Sequence, residues 1–361
     1  MSVQSQILPQ APTLAAKSWL LLDYSTGQSL ASYNPEERIE PASLTKMMTA
    51  YIVLGALKEG RISPTQTVPV SERAWRAQGS RMFIEPKRPV TVDELLHGMI
   101  VQSGNDACIA LAEAVAGTEE AFVQSMNREA QRLGLKGTHF ANSTGLSNPQ
   151  HYSTARDLGV LTAALIRNFP EHYPLYALRE YTYNRISQAN RNRLLWLDPT
   201  VDGVKTGHTE NAGFCLVASA KRGPRRLLSV MMGTASDAMR TQESQKLLNF
   251  GFQYFDAVKL YAKDQAVSQL KVWKGGQNTV KAGFLEDFTL SLPKGMAEKV
   301  KASLVSNQPL MAPVQKGQRI AILKLSLDDK PYGEYPVVAL ETVPVAGVFG
   351  RAWDTMRLWF E

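Results

Sequence analysis

The sequence predicts a mixed α/β fold of the α+β type, in which helices flank an antiparallel sheet, followed by a small all-β domain. Strand patterns occur at both ends of the first 257 residues, and helical patterns fill the interval between them. Beyond about Val258 only short alternating runs remain, separated by Gly and Pro. A chain of 361 residues also exceeds what one hydrophobic core usually supports. We therefore predict a first domain over residues 1–257, a β-rich domain over residues 258–345 and an amphipathic helix over residues 346–361.

The first elements are a hairpin and a helix. Two short strand-like runs, Ser18 to Leu22 and Ser29 to Tyr33, are separated by turn residues, which is typical of a hairpin. Apolar residues then recur at helical spacing from Leu44 to Leu54. This change of period predicts a helix that begins at or near Ser43.

Later elements are predicted from their caps and periods. Thr91 and Glu94 form a capping box, and Asp106 is interpreted as the cap of the next helix. The predicted helices are Thr91 to about Val101, Asp106 to Gly117, Thr118 to Gly134, Ser153 to Ile166 and about Asp237 to Phe255. The predicted strands after them are Phe214 to Ala220, Leu227 to Met232, Val267 to Val272, Phe288 to Leu292, Ile320 to Leu327 and Tyr335 to Thr342.

The last segment has an aromatic face. Phe349, Trp353, Trp359 and Phe360 fall on one side of a predicted helix, and most of its charged residues fall on the other. This pattern indicates a helix that lies in a membrane interface, because Trp is favoured there. The alternative is that the helix packs on the β-rich domain.

Composition and charge limit the classes of function. The net charge of +7 favours an anionic membrane or cell-wall polymer, but the basic residues are scattered and form no Arg-rich helix, so nucleic acid is not an expected partner. No run reaches the roughly 18 apolar residues that span a bilayer, and the N-terminus has no cleavable apolar core, so an exported protein would be present here in mature form.

Cys108 and Cys215 lie in apolar surroundings typical of buried free thiols. No metal site or cofactor is expected, since no cluster of suitable ligands stands out.

Ser43-Leu44-Thr45-Lys46 is the first candidate for chemistry. A hydroxyl and an amine three residues apart on a helix project from one face, as a nucleophile and its base require. The same pattern recurs at residues 268–271 and 291–294, but only the first copy opens a helical run. The alternative is a helix-capping Ser43 followed by a surface Lys46.

Ser103-Gly104-Asn105 is the second candidate, in the connection between two predicted helices. Ser103 is interpreted as a proton relay to the leaving amine and Asn105 as a ligand of a substrate amide. Copies of the pattern at residues 32–34 and 125–127 fall on a predicted strand and inside a predicted helix. The alternative is a simple turn.

Lys205-Thr206-Gly207 is the third candidate and occurs once, just before a predicted strand. A strand edge can pair with a peptide, Lys205 and Thr206 can hold a carboxylate, and Gly207 allows close approach. The backbone N–H of His208 is a candidate oxyanion donor beside that of Ser43. The alternative is an ordinary turn that leads into the strand.

In this order the three motifs resemble those of the penicillin-binding protein and serine β-lactamase superfamily. Residues 80–83, 102–107, 152–157 and 202–209 also look like the low-molecular-mass D-alanyl-D-alanine carboxypeptidases, whose β-rich second domain and C-terminal amphipathic anchor the rest of the chain resembles. The resemblance implies that Arg240 and Arg191 bind the terminal carboxylate of the substrate. A guanidinium is well suited to a carboxylate, although either Arg could instead be a structural partner of an acid.

The resemblance implies a serine carboxypeptidase that removes the terminal D-Ala from peptidoglycan pentapeptides and is acylated by β-lactams. Ser43 would be the nucleophile, Lys46 its base and Ser103 the proton relay. We expect Lys205 to lower the pKa of Lys46 by like-charge repulsion. The implied location is the periplasm, at the outer face of the inner membrane, with residues 346–361 on the membrane surface.

Two other functions stay open at this point. A class A β-lactamase shares the motifs, but it needs a Glu-containing loop that is not recognisable here. A non-catalytic wall-binding protein would be expected to lose some of the motif residues, and all of them are present. His151 and Asp157 suggest a further base pair, with a surface or capping role as the alternative.

Overall fold

The computed structural model describes residues 9–306 and 308–347, which divide into two units. The first unit is Ala11–Gln253, and the second contains the described residues 9–10 together with the chain from Tyr254 onward. The boundary that we predict between residues 257 and 258 lies a few residues beyond this division and stays a prediction.

Helices and short strand pairs surround one larger sheet in the first unit. The helices are α1 (Lys46–Lys58), α2 (Glu72–Trp75), α3 (Val92–Val101), α4 (Asn105–Ala116), α5 (Glu119–Arg132), α6 (Ala155–Asn168), α7 (Leu194–Leu197) and α8 (Asp237–Tyr254). The strands are β1 (Ser18–Asp23), β2 (Ser29–Tyr33), β3 (Thr67–Val68), β4 (Val90–Thr91), β5 (Glu180–Tyr183), β6 (Ile186–Ala189), β7 (Val201–Thr209), β8 (Gly213–Arg222) and β9 (Arg225–Thr234).

The sheet is antiparallel, with the strand order β2-β1-β9-β8-β7. Every residue of β1 is buried, because both faces of the sheet are covered. Gly159 of α6 approaches Leu20 and Leu22 on one face, while Gly251 of α8 approaches Leu21 on the other. Strand β7 forms one edge of the sheet, so its outer backbone is available to a further strand.

The predicted hairpin, the capping box of α3 and the Thr118 cap of α5 are confirmed. The helix predicted to begin at or near Ser43 begins as a 3-10 turn, Ala42–Thr45, which continues directly into α1 at Lys46. One prediction needs correction. The helix cap predicted at Asp106 is wrong, because α4 begins at Asn105 after Gly104, and no side chain caps it.

The second unit is built of strands, as predicted. They are β10 (Phe255–Tyr261), β11 (Ala266–Trp273), β12 (Thr279–Gly283), β13 (Phe288–Pro293), β14 (Val300–Ser306), β15 (Leu310–Met311), β16 (Arg319–Leu327) and β17 (Lys330–Ala339). Six strands pair in the order β14-β16-β17-β12-β11-β15, while β10 pairs with β13. Alternate residues such as Leu323 and Leu325 of β16 point into a separate apolar core.

The predicted amphipathic helix over residues 346–361 falls almost wholly outside the described residues, which end at residue 347. Among the helices that the structure does describe, none combines the length and apolar character needed to cross a membrane.

Candidate active site

A cleft of about 650 Å³ opens where β7, the turn that carries Ser43 and the α3–α4 connection meet. Its lining residues are Ser43, Gly79, Ser80, Ser103, Asn190, Arg191, Arg193, Thr206, Gly207, His208, Phe214, Asp237 and Arg240. The structure therefore brings seven of the ten predicted site residues to one surface. The other three, Lys46, Asn105 and Lys205, are buried and hydrogen-bond to one another or to the serines of the cleft.

Lys46 connects the first two motifs. Its Nζ donates to Ser43 Oγ at 2.9 Å, to Asn105 Oδ1 at 2.7 Å and to the backbone oxygen of Thr144 at 2.7 Å. The Thr144 carbonyl was missed from the sequence, because no local pattern marks a backbone acceptor. These contacts fix the amine beside the Ser43 hydroxyl.

The orientation of Asn105 determines how Lys46 can act. Asn105 Nδ2 donates to the backbone oxygen of Gln78 at 2.6 Å, so Oδ1 must face Lys46. Asn105 Oδ1 and the Thr144 oxygen can only accept hydrogen bonds. A neutral Lys46 therefore donates its two hydrogens to them and directs its lone pair at Ser43 Oγ. This is the geometry of a base that can take the serine proton.

Burial is the largest cause that lowers the pKa of Lys46, to about 8. The positive charge of Arg191 lowers it further, and Cys108 and Asp106 act in the opposite direction. We expect repulsion from Lys205 to help lower this pKa, but removal from water is the largest cause and Arg191 is the cation that adds to it. The pKa of Lys205 is also well below its usual value, first because of burial and then because of repulsion from Lys46 and Arg191.

Ser103 and Lys205 form a second hydroxyl–amine pair. Lys205 Nζ donates to Ser103 Oγ at 3.0 Å and to the backbone oxygen of Thr206 at 3.1 Å. Ser103 has a φ of 63°, a left-handed conformation that is uncommon for a residue with a side chain. The connection between α3 and α4 thus holds Ser103 at the cleft, across from Ser43.

Close approach of backbones brings the motifs together. A Cβ at Gly207 would lie 2.9 Å from the backbone oxygen of Pro41 and 3.2 Å from the backbone N of Ser43. Gly145, at a φ of +88°, approaches Ala42 even more closely, and a Cβ there would lie 1.8 Å from the Ala42 oxygen. Both positions therefore require glycine.

The two predicted arginines differ in their partners. Arg240 is buried and donates to the backbone oxygens of Gly207 at 3.0 Å and Cys215 at 3.3 Å, and it pairs with Asp237. Arg191 is exposed at the cleft, and no side-chain partner is recorded for it within the described residues. Arg193, which the sequence did not single out, also lines the cleft, 3.6 Å from Asp237. The cleft wall is therefore cationic.

Asp106 has a role that the sequence did not reveal. Its carboxylate accepts the backbone N–H groups of Met82 at 3.0 Å, Phe83 at 2.8 Å and Ile84 at 3.2 Å. The backbone N–H of Asn105 donates to Ser80 O at 2.7 Å. The start of α4 is thus tied to residues 78–84, the segment that also orients Asn105.

His151 and Asp157 do not form a pair. The N–H of Ala141 donates to His151 Nδ1, so His151 Nε2 carries the hydrogen and donates it to Thr45 Oγ1 at 2.8 Å. Burial lowers the pKa of His151 to about 4, which keeps the ring neutral. Asp157 accepts from the backbone N–H of Gly137 and from Thr138. Both residues therefore stabilise the fold around the site.

Neither cysteine is a further candidate nucleophile. Cys108 and Cys215 are buried free thiols, as predicted, and burial raises the pKa of Cys108 to about 12. In residues 9–306 and 308–347, no group of three or more His, Cys, Asp and Glu side chains could hold a metal ion.

Comparison with known families agrees with this geometry. Residues 5–236 match the model of the D-alanyl-D-alanine carboxypeptidase family, and residues 255–345 match the C-terminal domain of penicillin-binding protein 5. The D-alanyl-D-alanine carboxypeptidase DacC of Escherichia coli is 43% identical over 359 residues, covering 97% of this chain and 90% of that protein. DacA of Haemophilus influenzae is 43% identical over 354 residues, covering 96% and 90% respectively.

A solved structure extends the similarity to the fold. Penicillin-binding protein 5 of Haemophilus influenzae superposes with a TM-score of 0.89 at 41% identity, covering 93% of this chain and 99% of that one. The match confirms the predicted penicillin-binding fold with an all-β C-terminal domain. The chain belongs to the D-alanyl-D-alanine carboxypeptidase family of serine peptidases.

Proposed function

We propose that the chain removes the terminal D-Ala from peptidoglycan pentapeptides through an acyl-enzyme on Ser43, and that β-lactams acylate the same serine. The observation that carries the proposal is the set of hydrogen bonds made by Lys46. The two hydrogens of a neutral Lys46 go to Asn105 Oδ1 and the Thr144 backbone oxygen, so its lone pair is directed at Ser43 Oγ. A buried amine with a pKa of about 8 is partly neutral near neutral pH, as a general base must be.

In the acylation step Ser43 Oγ attacks the carbonyl carbon of the penultimate D-Ala, and its proton passes to Lys46 Nζ. The backbone N–H groups of Ser43 and His208 stabilise the oxyanion. The peptide C–N bond then breaks, and Ser103 delivers a proton to the departing amine of D-Ala. The contact between Ser103 and Lys205 supports this role, because Lys205 can replace the proton that Ser103 gives up.

Water completes the cycle. It attacks the Ser43 ester, the carbonyl–Oγ bond breaks, and the shortened peptide leaves as a carboxylic acid while Ser43 regains its proton. Lys46 then releases to solvent the proton that it took during acylation, and Lys205 takes one up, which restores the starting state. A β-lactam follows the first step with its ring amide in place of the scissile peptide.

The cationic wall of the cleft accounts for the choice of a free C-terminus. Thr206 and the exposed Arg191 line the cleft and present hydroxyl and charge-assisted donors to the terminal carboxylate, and the buried Lys205 adds its positive charge behind them. Arg240 supports this wall through the Gly207 carbonyl. Asn105, next to Ser103, binds the amide of the acyl side. The edge position of β7 offers backbone groups to the extended peptide.

Covalent labelling with a fluorescent penicillin, together with D-Ala release from a soluble pentapeptide, tests the mechanism. Ser43→Ala should lose both signals, whereas Ser268→Ala, which changes the serine of a decoy motif on β11, should keep both. Labelling that survives in Ser43→Ala would refute the assignment. Rapid penicillin hydrolysis without D-Ala release would refute the proposal that the pentapeptide is the substrate.

The location proposed for the enzyme is the periplasm, at the outer face of the inner membrane, where its substrate lies. Support for membrane contact comes from the aromatic residues that the sequence places on one side of the predicted helix over residues 346–361. The full chain should float with anionic vesicles and a chain that ends at residue 345 should not. Equal flotation of the two chains would contradict the anchor.

A further inference from the structure

A second groove, of about 410 Å³, lies between α1, α5 and the end of α6. Ile52, Gly55 and Phe169 give it an apolar surface. Ser43 lies just before the N-terminus of α1, whereas Lys58 of the groove lies at its C-terminus. The groove and the catalytic cleft share no lining residue, and α1 rises by about 20 Å from the end beside Ser43 to Lys58, so the two sites are separate.

The groove carries a positive charge that the chain does not neutralise. Four cations and two acids line it: Lys58, Arg61, Arg128, Arg132, Glu59 and Glu129. Both acids are already paired, Glu59 with Arg61 and Glu129 with Arg132. Lys58 donates only to the Asn168 backbone oxygen, and Arg128 only to Ser125 Oγ. Within the part of the chain that the structure describes, neither cation has a carboxylate partner.

Tyr51 adds a hydrogen-bond donor at the base of the groove. The residue is only 5% exposed, and its hydroxyl oxygen accepts from Arg132 Nη2 at 3.0 Å and from Asn168 Nδ2 at 2.6 Å. Its own hydrogen has no recorded acceptor among the described residues. With both lone pairs occupied, the hydroxyl can interact with a ligand only by donating.

The favourable interaction of cations with the C-terminal ends of helix dipoles explains some of the positive charges in the groove, but not all of them. Lys58 and Arg132 lie in the last turns of α1 and α5, where cations are favourable. Arg128 precedes the last turn of α5, and a dipole gives no reason for the free hydrogen of Tyr51. A donor, an unpaired guanidinium and an apolar surface together fit a ligand that has both a carboxylate and an apolar part.

We propose that this groove binds a carboxylate-bearing peptide segment, with the carboxylate on Arg128 and Tyr51 and the adjoining apolar group against Ile52, which is half-buried in the groove. The identity of the peptide rests on the proposed function, because the stem peptides of peptidoglycan are the acidic peptides that such an enzyme meets. A weak second contact on the same polymer raises the local concentration of substrate at the catalytic cleft.

The test is calorimetric titration of the full chain, its Ser43 blocked by a slowly released β-lactam, with the stem tripeptide L-Ala-γ-D-Glu-diaminopimelate. We expect saturable binding that weakens about tenfold in Arg128→Glu. Tyr51→Phe, which removes only the hydroxyl, should weaken binding too. Lys136→Glu makes the same charge change at an exposed position outside the groove and should leave binding unchanged. The tripeptide with its carboxylates amidated should not bind.

The outcomes separate the two proposals. The groove proposal would be overturned if the tripeptide showed no saturable binding, or if Arg128→Glu and Lys136→Glu weakened its binding equally. D-Ala release from a soluble pentapeptide tests the function of the catalytic cleft independently of either result. Arg128→Glu should leave that soluble reaction unchanged and slow D-Ala release from intact peptidoglycan. Slower release from the soluble peptide would also count against a separate groove.

Discussion

At the scale of single residues, the base of the proposed reaction is an amine that the fold keeps out of water. Lys46 is 2% exposed, and all of its recorded hydrogen-bond acceptors are neutral, so no carboxylate in contact with it offsets the cost of its charge. Its pKa falls to about 8 for that reason. Protonated and neutral forms are therefore both accessible near neutral pH.

The rate of acylation should follow the deprotonation of Lys46. Because the neutral amine is the base, kcat/KM for D-Ala release should rise with pH through a midpoint near pH 8. The measurement is a series of kcat/KM values from about pH 6 to about pH 9.5, with fluorescence checks that the fold is intact.

Lys46→Arg supplies the control, since guanidinium stays protonated over this range. It should cost activity by a factor on the order of 1,000 and abolish the rise. A flat profile in the unchanged chain would show that Lys46 is not the base.

At the scale of elements, the connection between α3 and α4 is held by one carboxylate. Asp106 accepts three backbone N–H groups from residues 82–84. Gly104 belongs to the same packing, because a Cβ there would lie 2.8 Å from Asp106 Oδ1. Gln78, at the other end of this segment, orients the Asn105 amide. Asp106 is thus a positioning residue for the cleft.

Asp106→Asn should damage both stability and the pH profile. The amide NH2 of the new Asn faces the backbone N–H groups of residues 82–84, which then lose an acceptor. This loss should lower the free energy of unfolding by about 1–3 kcal/mol. The negative charge of Asp106 raises the pKa of Lys46, so its loss should move the midpoint of the kcat/KM profile to lower pH. Urea unfolding and pH–rate profiles measure the two effects.

Asp93→Asn is the matched control, because Asp93 is a largely exposed acid at the start of α3. It should change stability by less than about 1 kcal/mol and leave the midpoint in place. If the two variants behave alike, Asp106 does not position the site.

At the scale of the whole molecule, every residue of the proposed site belongs to the unit Ala11–Gln253. That unit has its own apolar core, and the β-rich unit has another. A chain that ends at Tyr254, which keeps α8 complete, should therefore fold and react with penicillin at the rate of the full chain. Stopped-flow labelling measures the rate, and a folded truncation that reacts more than about tenfold slower would contradict this independence.

Local signals in the sequence determined most of the elements and the positions of the motifs. The Thr91–Glu94 capping box and the β1–β2 hairpin depend on residues close together in the chain, so their patterns predict them directly. The strand-like context of residues 268–271 likewise predicts that this copy of the Ser-x-x-Lys pattern is not catalytic, and these residues lie on β11. The order of the three motifs was enough to identify the family.

Only the tertiary structure decided how the motifs act on one another. Lys46 meets Asn105 and Thr144 across 59 and 98 residues of sequence, and no local pattern encodes such contacts. The same applies to Asp106, whose position near a helix start predicts a cap, although packing directs its carboxylate to residues 82–84. The main cause of the lowered Lys46 pKa also depends on the tertiary structure, because burial is a property of the folded chain. The sequence places the amine near Ser43, and packing of the surrounding residues excludes the water that would stabilise its charge.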